Sequence, residues 1–470
     1  MRRRLLVLAI GLSCGAHPNA PRARAEPATL EVRVDARDAH ALAVEEHFVH
    51  AGTAKIELAE ETRQGITRFQ VERAGAWVSL DPQKLEAREC IDDCKIRYVV
   101  DLAKVERSYE GVVAVGTSTF VAPTSSWLAH PSPTRGSFDI TIDGSRDAPH
   151  GAFESVVFAT GLRRTSDDPS RFVLPTNDFA EGSFAAFGNL RHRSIDAALS
   201  SIEIVVVGDA TLTLSDEEIA TWVREDAECV ARLYQHFPVK RASVFIVPVE
   251  GSKGVVFGKV LSLGGASIIV LAGTELPAKE THRDWVLVHE MVHLGFPTMY
   301  GVRWLTEGLA TYYEPVLRTR AGWHTREWLW DDFTQSMKRG IPPEGAELAL
   351  DKRDTIDDAY WGGALFVMMV DVGIRAATSN KKSFDDVLHA VLGQGGDATV
   401  VWTMAELTEA ARKETGTNVF GDLVERYATK GERIDLPRFF RDLGVSRDPK
   451  LELDDAAPLA AIRKSIEGSP

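Results

Sequence analysis

The chain has 470 residues, too many for one ordinary hydrophobic core, so two or three domains are expected. Its composition, 44% hydrophobic and 26% charged with a formal net charge of −14, is that of a globular protein, and the acidic excess disfavours nucleic acid and anionic lipid as partners. Beyond the N-terminus no run is long and apolar enough for a transmembrane segment.

Met1-Arg2-Arg3-Arg4 followed by the short apolar run Leu5 to Ser13 has the basic start and apolar centre of a signal peptide, and Ala23-Arg24-Ala25 offers a small-x-small cleavage site. Residues 1–25 are read as that signal, and the protein as exported, periplasmic or secreted. A second reading stays open, a lipid anchor at Cys14 behind the imperfect lipobox Gly11-Leu12-Ser13. Removing residues 1–25 takes away five arginines and no acid, which moves the charge from −14 to −19.

From about Glu26 to Gly208 the dominant period is two. Leu30 to Val34, Arg97 to Leu102, Gly111 to Val115, Ser137 to Ile142 and Ser201 to Val207 read as strands, separated in places by turn-rich joints such as Asp143-Gly144. Many short strands without a long helical stretch predict an antiparallel β domain over residues 26–208, sandwich-like or saddle-like. Cys90 and Cys94 frame Ile91-Asp92-Asp93 in a polar stretch with no second pair nearby, which predicts a disulfide in a small loop rather than a zinc ribbon. Cys229 sits at a core-like position of a helical pattern.

The pattern changes at Ser215-Asp216-Glu217-Glu218, a capping box that opens an amphipathic helix to about His236. Strands follow at Ser243 to Val249 and Ala266 to Leu271, then a helix from roughly Lys279 to Leu294 and a second from near Arg303 past Glu314. Beyond about Pro342 the chain reads as helical, with candidates at Ile356 to Ala376, Ser383 to Leu392, Met404 to Glu414 and Val419 to Tyr427. The expected organisation is α+β and multidomain: the β domain, a catalytic domain over 209–341, and a helical region over 342–470 that completes the site.

The first of the two paired helices carries His289-Glu290-Met291-Val292-His293, the pattern H-E-x-x-H. Residues four apart share a helix face, so both imidazoles can reach one metal ion, and Glu290 is placed to take a proton from water at that ion. Apolar residues surround the motif on almost every side, and polar groups inside such a helix need partners that a metal supplies. A tetrahedral zinc site wants a third protein ligand, and Glu307, at the start of the second helix, is the candidate.

That second helix reads Trp304-Leu305-Thr306-Glu307-Gly308-Leu309-Ala310-Thr311-Tyr312-Tyr313-Glu314 and resembles the third-ligand helix of the gluzincins, thermolysin-like zincins of the peptidase MA clan. Within that group the chain most resembles the M1 aminopeptidases and the M61 glycyl-aminopeptidase-like enzymes. The resemblance implies one Zn2+ per chain on His289, His293 and Glu307, with Glu290 as general base. Thirteen residues separate His293 from Glu307, a shorter link than in M1 enzymes, and Gly295 stands where those often carry Trp. Tyr360-Trp361-Gly362-Gly363-Ala364 resembles the family segment whose tyrosine donates to the oxyanion, which makes Tyr360 the second catalytic candidate; Val370 to Arg375, Ser383 to Val387 and Ala428 to Leu443 look M61-like. Tyr312 and Tyr313 are fallback donors, or core residues.

Glu314, seven residues after Glu307, returns to nearly the same helix face and either orients a ligand histidine or is a helix-end carboxylate. His282 is expected to face solvent on the first turn of its helix. The segment Gly264-Gly265-Ala266 is the expected substrate strand; it has glycines, and no acid to hold a substrate's N-terminal ammonium as M1 enzymes do. The resulting expectation is a secreted zinc metallopeptidase acting on a peptide or protein substrate. The alternatives are a binding protein that keeps the zincin fold without turnover, and a zinc hydrolase of a non-peptide bond.

Overall fold

A computed structural model of the protein describes residues 29–81, 89–132, 136–342 and 347–468. The expected signal peptide and Cys14 lie outside the described residues, as does the side chain of Cys90. No helix among the described residues is long and apolar enough to cross a membrane.

The period-two segments assemble into a nine-stranded sheet. Its order runs Arg163–Arg164, Arg171–Pro175, Ser137–Asp143, Thr29–Asp35, Leu42–Glu57, Glu89–Val100, Ile66–Arg73, Ala76–Ser79, with His130–Ser132 pairing Leu42–Glu57. Alternation decides which face is inside: Leu30, Val32 and Val34 are buried while Glu31 and Arg33 are exposed, and Phe138, Ile140 and Ile142 repeat the pattern. Pairing is antiparallel as expected except that Thr29–Asp35 runs parallel to Ser137–Asp143. Residues 36–136 intervene between those two strands, so no hairpin fixes their relative direction. Cys90 and Cys94 belong to the strand Glu89–Val100 rather than to a loop; Cys94 is disulfide-bonded, and Cys229 is free and buried.

An eight-stranded sheet packs against the first, Phe120, Phe158 and Phe187 entering the same core as Leu30 and Phe138. Its order is Val255–Leu261, Ser267–Gly273, Arg241–Val249, Ser200–Val207, Phe184–Ala197, Thr119–Pro123, Val113–Val115, with Glu154–Thr160 beside Phe184–Ala197. Ser200–Val207 is parallel to Arg241–Val249, so this one sheet continues past residue 208, where the period-two pattern ends. Continuous apolar runs such as Val205-Val206-Val207 fit strands covered on both faces.

Helices cover one face. Asp216–Tyr234 starts at the capping box, Ser215 N donating to Glu218 Oε2 at 2.8 Å, and Ile219, Val223, Val230 and Leu233 join Ile202, Ile204, Val244, Ile246, Ile268 and Val270 in the largest core. The helix expected over Lys279–Leu294 is broken: a 3-10 turn Ala278–Arg283 is followed by an α-helix only from Val286 to His293. His282, on that turn, is not free in solvent; its Nε2 lies 2.7 Å from Glu225 Oε2 and its ring stacks on Trp323. Arg303–Arg320, Phe384–Gly393 and Met404–Thr415 agree with the pattern-based helices, whereas Arg326–Ser336 and the small hairpin Val445–Arg447/Leu451–Leu453 were not anticipated.

Candidate metal centre

The helix Val286–His293 is anchored at its start by Asp284. One carboxylate oxygen accepts from Val286 N at 2.8 Å and the other from Val255 N at 3.1 Å, so a single side chain ties the helix to the first residue of the strand Val255–Leu261. Every residue from Val286 to Val292 is buried, including His289 and Glu290. The four-residue spacing sets the two imidazoles side by side, with Nε2 of His293 at 3.3 Å from Nε2 of His289.

Glu307 comes from the first turns of Arg303–Arg320. Its Oε2 lies 3.3 Å from His289 Nε2 and 3.7 Å from His293 Nε2. The tight link between the helices depends on Gly295, where a Cβ would sit 2.2 Å from the Tyr234 ring, whose hydroxyl donates to Val292 O at 3.1 Å. Gly308 is a second close approach: a Cβ there would lie 2.2 Å from Gly363 C, and one on Gly363 would lie 1.9 Å from Trp304 O. The Glu-Gly and Gly-Gly-Ala segments thus form one glycine-lined helix crossing that brings Tyr360 to the histidines.

These three ligand atoms are the one group of His, Cys, Asp or Glu that could hold a metal among the described residues, all within 4.8 Å of one another. A tetrahedral ion with bonds of about 2.0–2.1 Å separates its ligand atoms by about 3.3–3.4 Å, close to the spacings here. Two imidazole nitrogens aimed at each other and at a carboxylate oxygen share too few protons to satisfy all three, and a cation between them does so. The buried Nδ1 of His289 has no hydrogen-bond partner among the described residues. A nitrogen-nitrogen-oxygen donor set suits zinc, and three protein ligands leave one tetrahedral position open. The residues present fit the ion.

Electrostatics distinguish the carboxylates. Burial opposes ionisation of Glu307, but hydrogen bonds and charge from His289 and His293 outweigh it and hold the carboxyl well below its usual range. Glu290 makes no such bonds, and burial pushes it up to about 8, with His293 and Lys259 pulling the other way.

Tyr360 lies in a π-helical turn, Asp358–Gly362, and its ring is stacked parallel to His289 with centroids 5.6 Å apart. Burial and the carboxylates of Glu307 and Glu290 keep its hydroxyl protonated, hence a donor. The fallback donors point elsewhere: Tyr312 donates to Asp371 at 2.9 Å and Tyr313 to Asp385 at 2.8 Å. Glu314 accepts from Arg318 Nε at 2.8 Å and has no bond to either ligand histidine. Trp285, not singled out from sequence, stands edge-on to His289 at 5.3 Å and is 44% exposed.

The segment expected as the substrate strand is not at the sheet edge. Gly264-Gly265-Ala266 is a buried turn packed on the N-terminal sheet, Gly264 N donating to Gly182 O at 2.6 Å and its carbonyl accepting from Arg163 N at 2.8 Å. The sheet edge beside the histidines is instead Val255–Leu261. It lies directly over the general-base candidate: a Cβ on Gly258 would come 2.7 Å from Glu290 Cγ and 2.8 Å from its Oε1. Sequence reading missed this strand because neither of its faces is consistently buried, so it carries no alternation.

No family model matches the chain, and no curated protein does. Solved structures do. An aminopeptidase N family protein from Idiomarina loihiensis superposes with a TM-score of 0.60 at 13% identity, covering 89% of this chain and 78% of that one. Native yeast LTA4 hydrolase gives 0.51 at 12% identity over 87% and 69%. An M1 zinc metallopeptidase from Deinococcus radiodurans gives 0.49 at 15% identity over 87% and 94%. At these identities the first two likenesses establish a shared fold.

Proposed function

We propose that the protein is a zinc-dependent hydrolase and, more finely, a metallopeptidase. The observation that carries this reading is the free edge of Val255–Leu261 lying over Glu290, beside three converging ligand atoms. His289, His293 and Glu307 would hold Zn2+, which when bound supplies Lewis acidity and makes water a nucleophile near neutral pH, its pKa falling from about 15.7 toward ~7. An extended peptide pairs with the strand edge through its backbone, which places its carbonyls along Glu290 irrespective of side chain. Glu290 takes the proton of the attacking water and returns it to the leaving amine. Tyr360 donates its hydroxyl to the carbonyl oxygen as negative charge develops there. The fold shared with an aminopeptidase N family protein agrees with a peptide substrate.

A proteome-derived peptide library read by mass spectrometry, with and without a chelator, tests the proposal. Cleavage that disappears with the metal and returns with added zinc is the expected result. Stoichiometric zinc with no peptide cleaved favours a binding protein, and turnover confined to other ester, amide or epoxide substrates favours the non-peptide hydrolase. Export and the Cys90–Cys94 disulfide belong to the same proposal, and the intact mass of the mature protein tests both: loss of residues 1–25 supports a soluble form, an acylated Cys14 an anchored one.

A further inference from the structure

Val255–Leu261 is the last strand of its sheet: Ser267–Gly273 pairs along one side, and the other side is open among the described residues. The first donor on that open side is nevertheless taken. Gly273 N donates to Gly254 O at 3.0 Å, so Val255 and Ala272 face each other as a non-hydrogen-bonded pair, and the Val255 N–H points away from the ladder. There it meets Asp284 Oδ2 at 3.1 Å. The ladder is irregular at this point, its register shifting between Val255 and Phe257, so the bond to Asp284 holds the strand where its own pairing is interrupted. Asp284 is itself fixed from several directions. Its Oδ1 accepts from Val286 N at 2.8 Å, and its N–H donates to Glu280 O at 3.1 Å and Thr281 O at 3.2 Å. Arg318, from the helix that carries Glu307, donates to the adjoining Arg283 carbonyl at 3.0 Å. A rigidly held carboxylate thus closes the open edge three residues before Gly258, the residue seated on Glu290.

We propose that Asp284 is a positioning residue that ends the open edge at Val255 and so fixes the register in which an extended substrate lies over Glu290. The inference rests on the peptidase reading above and adds to it a rule for which bond is cut. Backbone pairing alone does not choose a register, because a chain moved along the edge by two residues presents the same faces and the same hydrogen-bonding groups. Asp284 removes that freedom at one end. Its oxygen already holds the donor that a slipped chain would need, and its charge repels the carbonyl oxygen that would approach it.

The test takes a peptide that the wild-type protein cuts at one bond and digests it with wild type and with Asp284→Ser at equal zinc content, products read by mass spectrometry. The hydroxyl in that variant can still accept from Val286 N and keep the helix start, but it is too short to hold Val255 N as well. Asp284→Ser should add cuts two residues from the original bond, and kcat at the original bond should fall by about tenfold, as expected for a substrate partly out of line with Glu290. An unchanged cleavage map overturns the inference. So does a slower reaction with no displaced product, which marks a purely structural role, and so does a wild-type protein that already cuts at bonds two residues apart. Hydrogen exchange of the wild-type protein is a second test that needs no variant to fold: the Val255 amide should exchange slowly although it faces the open side, and exchange at the rate of a free amide overturns the inference. A zinc-loaded wild-type protein that cleaves no peptide overturns the peptidase reading instead.

Discussion

Glu307 and Glu314 stand seven residues apart on one helix, nearly in line along its axis, yet they belong to different kinds of structure. Glu314 is buried with a cation from its own helix, Arg318, four residues on, whose guanidinium also donates to Arg283 O at 3.0 Å. Among the described residues no arginine or lysine pairs with Glu307; what faces it is a pair of histidines from another helix. A carboxylate neutralised within its own helix is complete and holds the fold together. A carboxylate that meets only imidazoles is short of positive charge, and that deficit is what the proposed metal ion would fill.

The comparison can be broken at several points. The largest effect is expected at Glu290→Gln, which should lower turnover by about 10²–10⁴ with zinc content unchanged, since the group transfers a proton and holds no metal. Parallel loss of zinc and activity would make Glu290 a ligand. Glu314→Ala strands the buried Arg318 and should cost about 3–5 kcal/mol in urea unfolding while zinc stays bound. The pair Glu314→Leu with Arg318→Met should restore most of that stability, which sharpens the distinction from Glu307. Tyr360→Phe should lower kcat by about 10²–10³ with KM and zinc content near wild type, because its hydroxyl acts as the carbonyl oxygen gains charge. A change confined to KM would make it a binding residue. Asp284→Ala removes an acceptor from Val286 N and Val255 N together and should cost about 1–2 kcal/mol in unfolding. Hydrogen exchange should then quicken at both amides; faster exchange at Val286 alone would leave the strand independent of the helix.

What could be read from sequence follows the locality of the signal. The two histidines and Glu290 lie in one helical turn, and Glu307 sits two turns before the conspicuous Tyr312-Tyr313-Glu314, so local periodicity groups them. The layer order was legible as well, because Leu30 to Val34 alternates and Ser215 to Glu218 caps. The parallel pairing of Thr29–Asp35 with Ser137–Asp143 was not, since direction across so long a gap is set by packing. The break at Asp284-Trp285 was hidden in an apolar helical pattern; it exists because the Asp284 carboxylate satisfies backbone donors from two elements at once. Val255–Leu261 was invisible because an edge strand buries neither face consistently, and the glycine that admits Glu290 interrupts any pattern. Glu314 shows where spacing stops: it left open whether the residue orients a ligand histidine or is a helix-end carboxylate, and its partner in the fold is Arg318, four residues on.

Zinc content of Glu307→Ala against Glu314→Ala tests the central claim most directly. Both proteins, purified folded and analysed for metal by elemental analysis, differ only in which of two buried carboxylates on one helix is lost. Wild type and Glu314→Ala should carry one zinc per chain, and Glu307→Ala should lose most of it. Full occupancy in Glu307→Ala, or loss of zinc from Glu314→Ala alone, would contradict the account.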